Sequence, residues 1–232
     1  MIHFITFGNT SKYAHAMQIL CDEARASGYF DTVQSFNEND IPPEHTAFVT
    51  SNHRGFGYWI WKPIIMLKTM GKYAANTDDI IIYADAGCGI STTPAARENF
   101  AKWIHDVRTH PTHRVALQMG HIEETWTKGE LFEFIGCNDD KYRKTGQYVG
   151  GIQLYMNTPE NREFVKKYLE FVCADNYHYV SDQPSRIPNA PSFTEHRHDQ
   201  SVISLLFKKY GTVTYPDHWL DPAFPIMALR RR

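Results

Sequence analysis

Apolar positions along this chain fall into short β-branched runs and longer stretches with one apolar face. Ile2 to Phe7 is a β-branched and aromatic run stopped by Gly8 and Asn9, the signature of a first strand. Thr10 or Ser11 can cap a helix that follows to about Ala26 and ends at Gly28. Thr32 to Phe36 reads as a second strand, and Asn37 to His45, with Pro42 and Pro43, as a loop. The order β-α-β favours a parallel sheet.

From Tyr58 to Met70 the pattern turns helical, with Pro63 near its start and Ile64, Ile65, Leu67 and Met70 on one face. Asp79 to Tyr83 is the clearest buried strand, three isoleucines after two aspartates, and it runs out into Ala84-Asp85-Ala86-Gly87. Further helices are expected from Pro94 to Arg108, Thr127 to Ile135, Pro159 to Cys173 and Asp199 to Lys209. Further strands are expected at Arg114 to Gln118, Gly151 to Met156 and Thr212 to Tyr215. Asn176 to Thr194, punctuated by three prolines, reads as a long loop, either a lid or an ordered surface excursion.

Composition narrows the class without choosing a function. The formal net charge is −2, so bulk charge does not point to a nucleic-acid partner, and Arg230 to Arg232 read as a short solvated basic run. No segment approaches the roughly 20 apolar residues of a membrane span. Met1 to Thr6 is too short for a signal segment, and Cys21, Cys88, Cys137 and Cys173 lack zinc or redox spacing. A cytoplasmic protein with free thiols is therefore expected. Thirteen Tyr, fourteen Phe and five Trp suit both a core and a sugar-lined cleft.

Four constellations carry candidate chemistry. Asp85 stands at the C-terminal end of a buried strand, where open α/β sheets bind ligands, beside small residues that allow close approach. It suits a divalent metal carrying a diphosphate, or simply caps a turn. His196-Arg197-His198-Asp199-Gln200-Ser201 gathers metal ligands and a proton acceptor at a helix start, although Asp199 is also a fair N-cap. Gly55-Phe56-Gly57-Tyr58-Trp59-Ile60-Trp61-Lys62 brings glycines and rings to a lysine that can hold a diphosphate. Trp59 and Trp61 read equally as core. Gly150-Gly151 before a strand allows close approach, or makes a tight turn.

Taken in order, Tyr58 to Pro63, Tyr83 to Cys88, Trp126-Thr127-Lys128, Gly150-Gly151-Ile152 and His198 to Ser201 resemble a set shared by a group of GT-A glycosyltransferases. These occur in polysaccharide-making gene sets and in large algal viruses. The resemblance implies a single α/β domain with a GT-A (Rossmann-like) mixed, mainly parallel sheet flanked by helices. Residues 1–90 would form the nucleotide-binding half and 91–232 the acceptor-side half. It also implies a nucleotide-diphosphate-sugar donor, with UDP favoured, a glycan or other hydroxyl acceptor, and Mn²⁺ or Mg²⁺. Asp85 matches the first Asp of the family's D-x-D signature, but Gly87 replaces the second.

On this reading Phe7 and Gly8 hold the nucleobase. Tyr58, Lys62, Asp85, Gly150, Gly151 and Gln200 contact the donor, Asp85 and His198 ligate the metal, and Asp199, Asp85 or Glu124 act in catalysis. Asp199-Gln200 tilts the expectation toward a retaining reaction. Two other readings stand beside it. One is a sugar nucleotidyltransferase, which would want a Gly-rich basic loop that Phe7-Gly8-Asn9-Thr10 does not supply. The other is a non-catalytic domain binding carbohydrate or nucleotide-sugar, kept open by Gly87.

Overall fold

The computed structural model describes residues 1–218 and 220–231, so Arg232 of the basic run lies outside it. The first half contains β1 (Ile2–Phe7), α1 (Ala14–Ser27), β2 (Thr32–Phe36), α2 (Pro43–Ser51), the single turn α3 (Gly55–Tyr58), α4 (Trp61–Lys72), β3 (Ile80–Ala84) and β4 (Gly89–Ile90). Then follow α5 (Pro94–Thr109), β5 (Arg114–Ile122), α6 (Glu123–Trp126), α7 (Gly129–Ile135), α8 (Asp140–Arg143), β6 (Gly146–Tyr148) and β7 (Ile152–Met156). The last elements are α9 (Pro159–Tyr177), α10 (Asp199–Tyr210), β8 (Val213–Pro216) and β9 (Ile226–Met227).

Seven strands form one mixed sheet. β1 lies parallel between β2 and β3, and β7 runs antiparallel between β3 and β5. β6 pairs with the later part of β5 on the edge that β7 also uses, and β8 lies parallel along its other edge. Thus β1, β2, β3, β5 and β8 share one direction while β6 and β7 reverse it. This is the mixed, mainly parallel sheet flanked by helices that the sequence led us to expect.

β3 is buried on both faces, which explains its unbroken apolar run. Ile80 and Ile82 join Phe4, Leu20, Phe100 and Trp103 under α1 and α5. Ile81 and Tyr83 join Ile5, Met66, Tyr168 and Phe207 under α4, α9 and α10. The C-terminal ends of β1 and β3, the start of β7 and the start of α10 consequently meet at one edge of the sheet.

Several local expectations are corrected. α1 begins at Ala14 with no side-chain cap, because Thr10 is engaged by Glu38 instead. Pro43 opens a helix rather than belonging to a loop; its fixed φ and missing N–H suit the first turn, so the Pro-Pro pair starts structure there. The helix expected from Tyr58 starts at Trp61. Before it the chain turns left-handed, with φ positive at Gly55, Phe56, Gly57, Tyr58 and Trp59. Non-glycine residues seldom adopt that conformation, and where they do the surroundings hold them. α9 leaves helical geometry at Ala174, close to the expected end at Cys173.

The long loop after α9 is stitched down. Lys128, 2% exposed, donates from Nζ to the carbonyls of His178 and Gln183. Asn189 and Ser185 accept from the first amides of α7. Among the described residues all four cysteines are free, and no helix is long and apolar enough to cross a membrane.

If both faces of β3 are core, Ile81→Ala and Ile82→Ala should each cost about 2–5 kcal/mol, the range for emptying a buried isoleucine site. Urea unfolding of the two variants measures this. A mild loss for either one would mean that its face is not packed as described.

Candidate functional site

The residues singled out at the sheet edge converge on one buried ammonium. Lys62 sits in the first turn of α4, 3% exposed. Its Nζ lies 2.9 Å from Asp199 Oδ2, 3.3 Å from Asp85 Oδ1 and 3.1 Å from the Gly150 carbonyl oxygen. Three oxygens match the three N–H donors of an ammonium. The rings of Trp59, Trp61 and Tyr83 surround the same nitrogen at 5.6–5.9 Å.

Each oxygen is held in turn. Tyr83 donates its hydroxyl to Asp85 Oδ1, and Tyr168 donates to Asp199 Oδ2 at 3.1 Å. Gln153 donates to the Gly150 carbonyl, and Gly150 N donates to Gln200 Oε1 at 3.1 Å. Gln200 Nε2 continues to Gln147. A Cβ at Gly151 would stand 2.6 Å from Asp85 Oδ2, so the second glycine of the pair is what lets the carboxylate lie there.

Burial works against the Lys62 charge, but Asp199 and Asp85 outweigh it and hold its pKa above the ordinary value. Burial dominates at Asp199 and pushes its pKa up to about 6, with Lys62 pulling the other way. Asp199 is therefore not the N-cap considered above. His198 occupies that position with φ 56°, while Asp199 turns inward to the lysine. The cap assignment fails because the buried cation has the stronger claim on the carboxylate.

A cavity of about 480 Å³ opens beside this cluster. Phe7, Gly8, Phe56, Trp59, Trp61, Asp85, Gly87, Gly151 and Gln200 line it, together with Lys12, His121, Asp217, Arg230 and Arg231. Phe7 stacks on Trp61 with centroids 4.0 Å apart. The Asp85 side chain is 41% exposed, in contrast to Asp199 at 3%.

The structure thus brings Phe7, Gly8, Asp85, Gly151 and Gln200 to the cavity, with Lys62, Gly150 and Asp199 directly behind. Tyr58 does not line the cavity; it is buried with its ring 4.8 Å from that of His198. Glu124 is separate too. It is engaged by Lys144, Arg143 and Ser192. Sequence reasoning missed Lys12, His121 and Asp217. It also treated Arg230 and Arg231 as solvated and left Trp59 and Trp61 undecided; all four line the cavity.

The expected metal pair is not assembled. His198 Nδ1 donates to the Val180 carbonyl at 2.8 Å, and the ring lies against Tyr58 and Trp59, outside the cavity that Asp85 faces. Burial lowers its pKa to about 4, so the imidazole is neutral near pH 7. Among the described residues no three His, Cys, Asp or Glu side chains gather in a way that could hold a metal ion. Asp85 Oδ1 is already shared between Tyr83 and Lys62. The donor set does not fit a divalent ion held by protein side chains.

No family model and no curated protein matches the sequence. Solved structures match over nearly the whole chain at low identity. The galactosyltransferase LgtC, in complex with donor and acceptor sugar analogues, is 16% identical, with 91% of this chain and 72% of that chain covered and a TM-score of 0.48. A glycosyltransferase involved in the glycosylation of the major capsid of PBCV-1 is 12% identical, with 94% and 83% covered and a TM-score of 0.48. Mouse xyloside xylosyltransferase 1, in its apo form, is 12% identical, with 94% and 85% covered and a TM-score of 0.46.

The raised Asp199 pKa gives the cluster a pH signature. Its folded value near 6 lies above the ordinary 3.8, so this group opposes folding most strongly above pH 6, and the penalty is relieved as pH falls toward 4. In Lys62→Met the ammonium no longer offsets that buried charge. The variant should lose roughly 3–5 kcal/mol at pH 8, the cost of breaking a buried pair, and clearly less at pH 5, where a proton neutralises Asp199. Urea titrations at the two pH values test this; equal losses would assign the value of Lys62 to packing.

Proposed function

We propose that this chain is a glycosyltransferase that moves a sugar from a nucleoside-diphosphate donor, with UDP-sugars the first to test, to a glycan or other hydroxyl acceptor. The observation that carries the reading is the cavity at the C-terminal ends of β1 and β3. It joins stacked aromatic rings, basic residues and the partly exposed carboxylate of Asp85, fixed by a buried lysine, within about 480 Å³. Open α/β sheets bind ligands at this edge, and ligand pockets are typically about 300–1,000 Å³.

In this proposal the nucleobase lies against Phe7, Gly8 and Phe56. The sugar reaches Asp85, Gly151 and Gln200. Met119, His121 and Asp217, which line the cavity from the second half of the chain, face the acceptor. The bond from the sugar's anomeric carbon to the diphosphate oxygen breaks, and a bond to the acceptor oxygen forms. The acceptor's proton passes to a base, and the diphosphate leaves with the bonding electrons.

Of the three carboxylates considered for catalysis, Asp85 is the one that lines the cavity. We assign it to contact the reacting hydroxyls, either as proton acceptor or by holding the donor sugar. Asp199 is a positioning residue acting through Lys62. Lys62 itself, with its three donors already used, orients Asp85 rather than grasping phosphate. Glu124 takes no part. Asp217 also lines the cavity, so the carboxylates present do not choose between a retaining and an inverting course, and the anomeric configuration of the product decides it.

Incubation of the protein with a panel of nucleotide-sugars, followed by measurement of nucleotide release and of sugar on added glycans, tests the function. Asp85→Asn should lower turnover by roughly 10²-fold or more, the scale of a lost acid–base group, while circular dichroism and nucleoside diphosphate affinity stay near wild type. Wild-type turnover in a folded Asp85→Asn variant would remove Asp85 from the reaction.

A further inference from the structure

The position where a second D-x-D carboxylate was expected is filled by backbone. β9 pairs with β4, matching Gly89 with Met227 and Ile90 with Ile226, and so carries the following residues across the end of β3. Arg231 N then donates to the Gly87 carbonyl at 3.1 Å. A Cβ built on Gly87 would stand 3.0 Å from Arg231 O and 3.2 Å from Arg230 Cα. A side chain at 87 would press on this crossing segment, whose backbone would have to give by a few tenths of an ångström. Gly87 and the seating of Arg230 and Arg231 are two halves of one arrangement.

That arrangement exchanges an anion for cations. Arg230 and Arg231 both line the cavity, with Lys12 from the loop after β1. Arg231 is held from behind by Glu23 of α1, at 2.7 Å. Arg230 adopts φ 56°, a left-handed conformation that a non-glycine residue keeps where its surroundings impose it. A guanidinium carries a planar fork of donors that fits phosphate oxygens two at a time. Glu23 offsets part of the Arg231 charge, and the positive charge on this wall of the cavity is shared among Arg230, Arg231 and Lys12.

We infer that this cavity binds the diphosphate of its nucleotide through Arg230, Arg231 and Lys12, and that binding requires no divalent cation. The inference rests on the nucleotide-sugar reading and adds to it how the phosphates are held. It also gives a reason for the incomplete signature: with arginines at the phosphates, the second carboxylate has no ion to ligate and would repel the ligand.

Calorimetric titration of UDP, GDP, ADP and the matching nucleosides into the whole chain, in EDTA and separately in Mn²⁺, tests both levels. At least one nucleoside diphosphate should bind with affinities within about threefold in the two buffers. In the Arg230→Ala/Arg231→Ala variant that affinity should fall tenfold or more while nucleoside affinity holds, with circular dichroism to confirm the fold. Single Arg231→Lys should lose less than Arg231→Ala. Binding that vanishes in EDTA and returns with Mn²⁺ overturns the inference and leaves the nucleotide-sugar reading standing. Undiminished diphosphate binding by the folded double variant overturns it as well. If no nucleotide binds in either buffer, both fall. Should the variant fail to fold, the wild-type comparison between EDTA and Mn²⁺ still decides.

Discussion

A lysine ammonium that is almost wholly withdrawn from water has to find oxygen for each of its protons, because burying an unpaired charge costs several kcal/mol. At Lys62 the requirement is met by three separate parts of the chain: the end of β3 through Asp85, the start of α10 through Asp199, and the link between β6 and β7 through the Gly150 carbonyl. A single charge thus sets where a parallel strand, a reversed strand and a distant helix meet. The left-handed turn ahead of α4 aims the lysine there and lays Trp59 and Trp61 along the cavity wall. The same charge leaves two carboxylates with different surroundings. Asp199 is buried, with a pKa pushed up to about 6, and Asp85 is partly open to the cavity.

Much of the framework could be read from the sequence because it rests on local patterns. β-branched runs closed by glycine gave β1, and the isoleucine run before Ala84-Asp85 gave β3. Pro94 and Pro159 marked true helix starts, each preceded by a capping threonine. The convergence of Lys62, Asp85, Gly150, Gly151, Asp199 and Gln200 was legible as a list of residues, each at the end of an element facing the same edge of a sheet. Their mutual roles were not. Whether a lysine at a helix start meets solvent, phosphate or two aspartates depends on contacts with Asp85, Gly150 and Asp199, parts of the chain remote from its own helix, which periodicity does not encode.

The same limit explains the misplacements. His198 sits beside Asp199 in sequence, yet φ 56° at the cap sends its ring to Val180, Tyr58 and Trp59. Glu124 lies near the right strand, but Lys144 and Arg143 neutralise it elsewhere. Arg230 and Arg231 looked like a solvated run because the two-residue pairing of β4 with β9 is too short to leave a pattern. The one available signal was Gly87, standing where a carboxylate was expected. Its reason lies in the segment that packs on it, remote in sequence.

The account stands or falls on what occupies the cavity, and on whether Lys62 remains an internal counter-ion when it is filled. A crystal structure of the protein soaked with a nucleoside diphosphate measures both at once. The account predicts the base against Phe7, the diphosphate beside Arg230 and Arg231, and Lys62 Nζ still bound to Asp85, Asp199 and the Gly150 carbonyl. A nucleotide bound away from this cavity, or Lys62 swung out of its cage onto the phosphates, would contradict it.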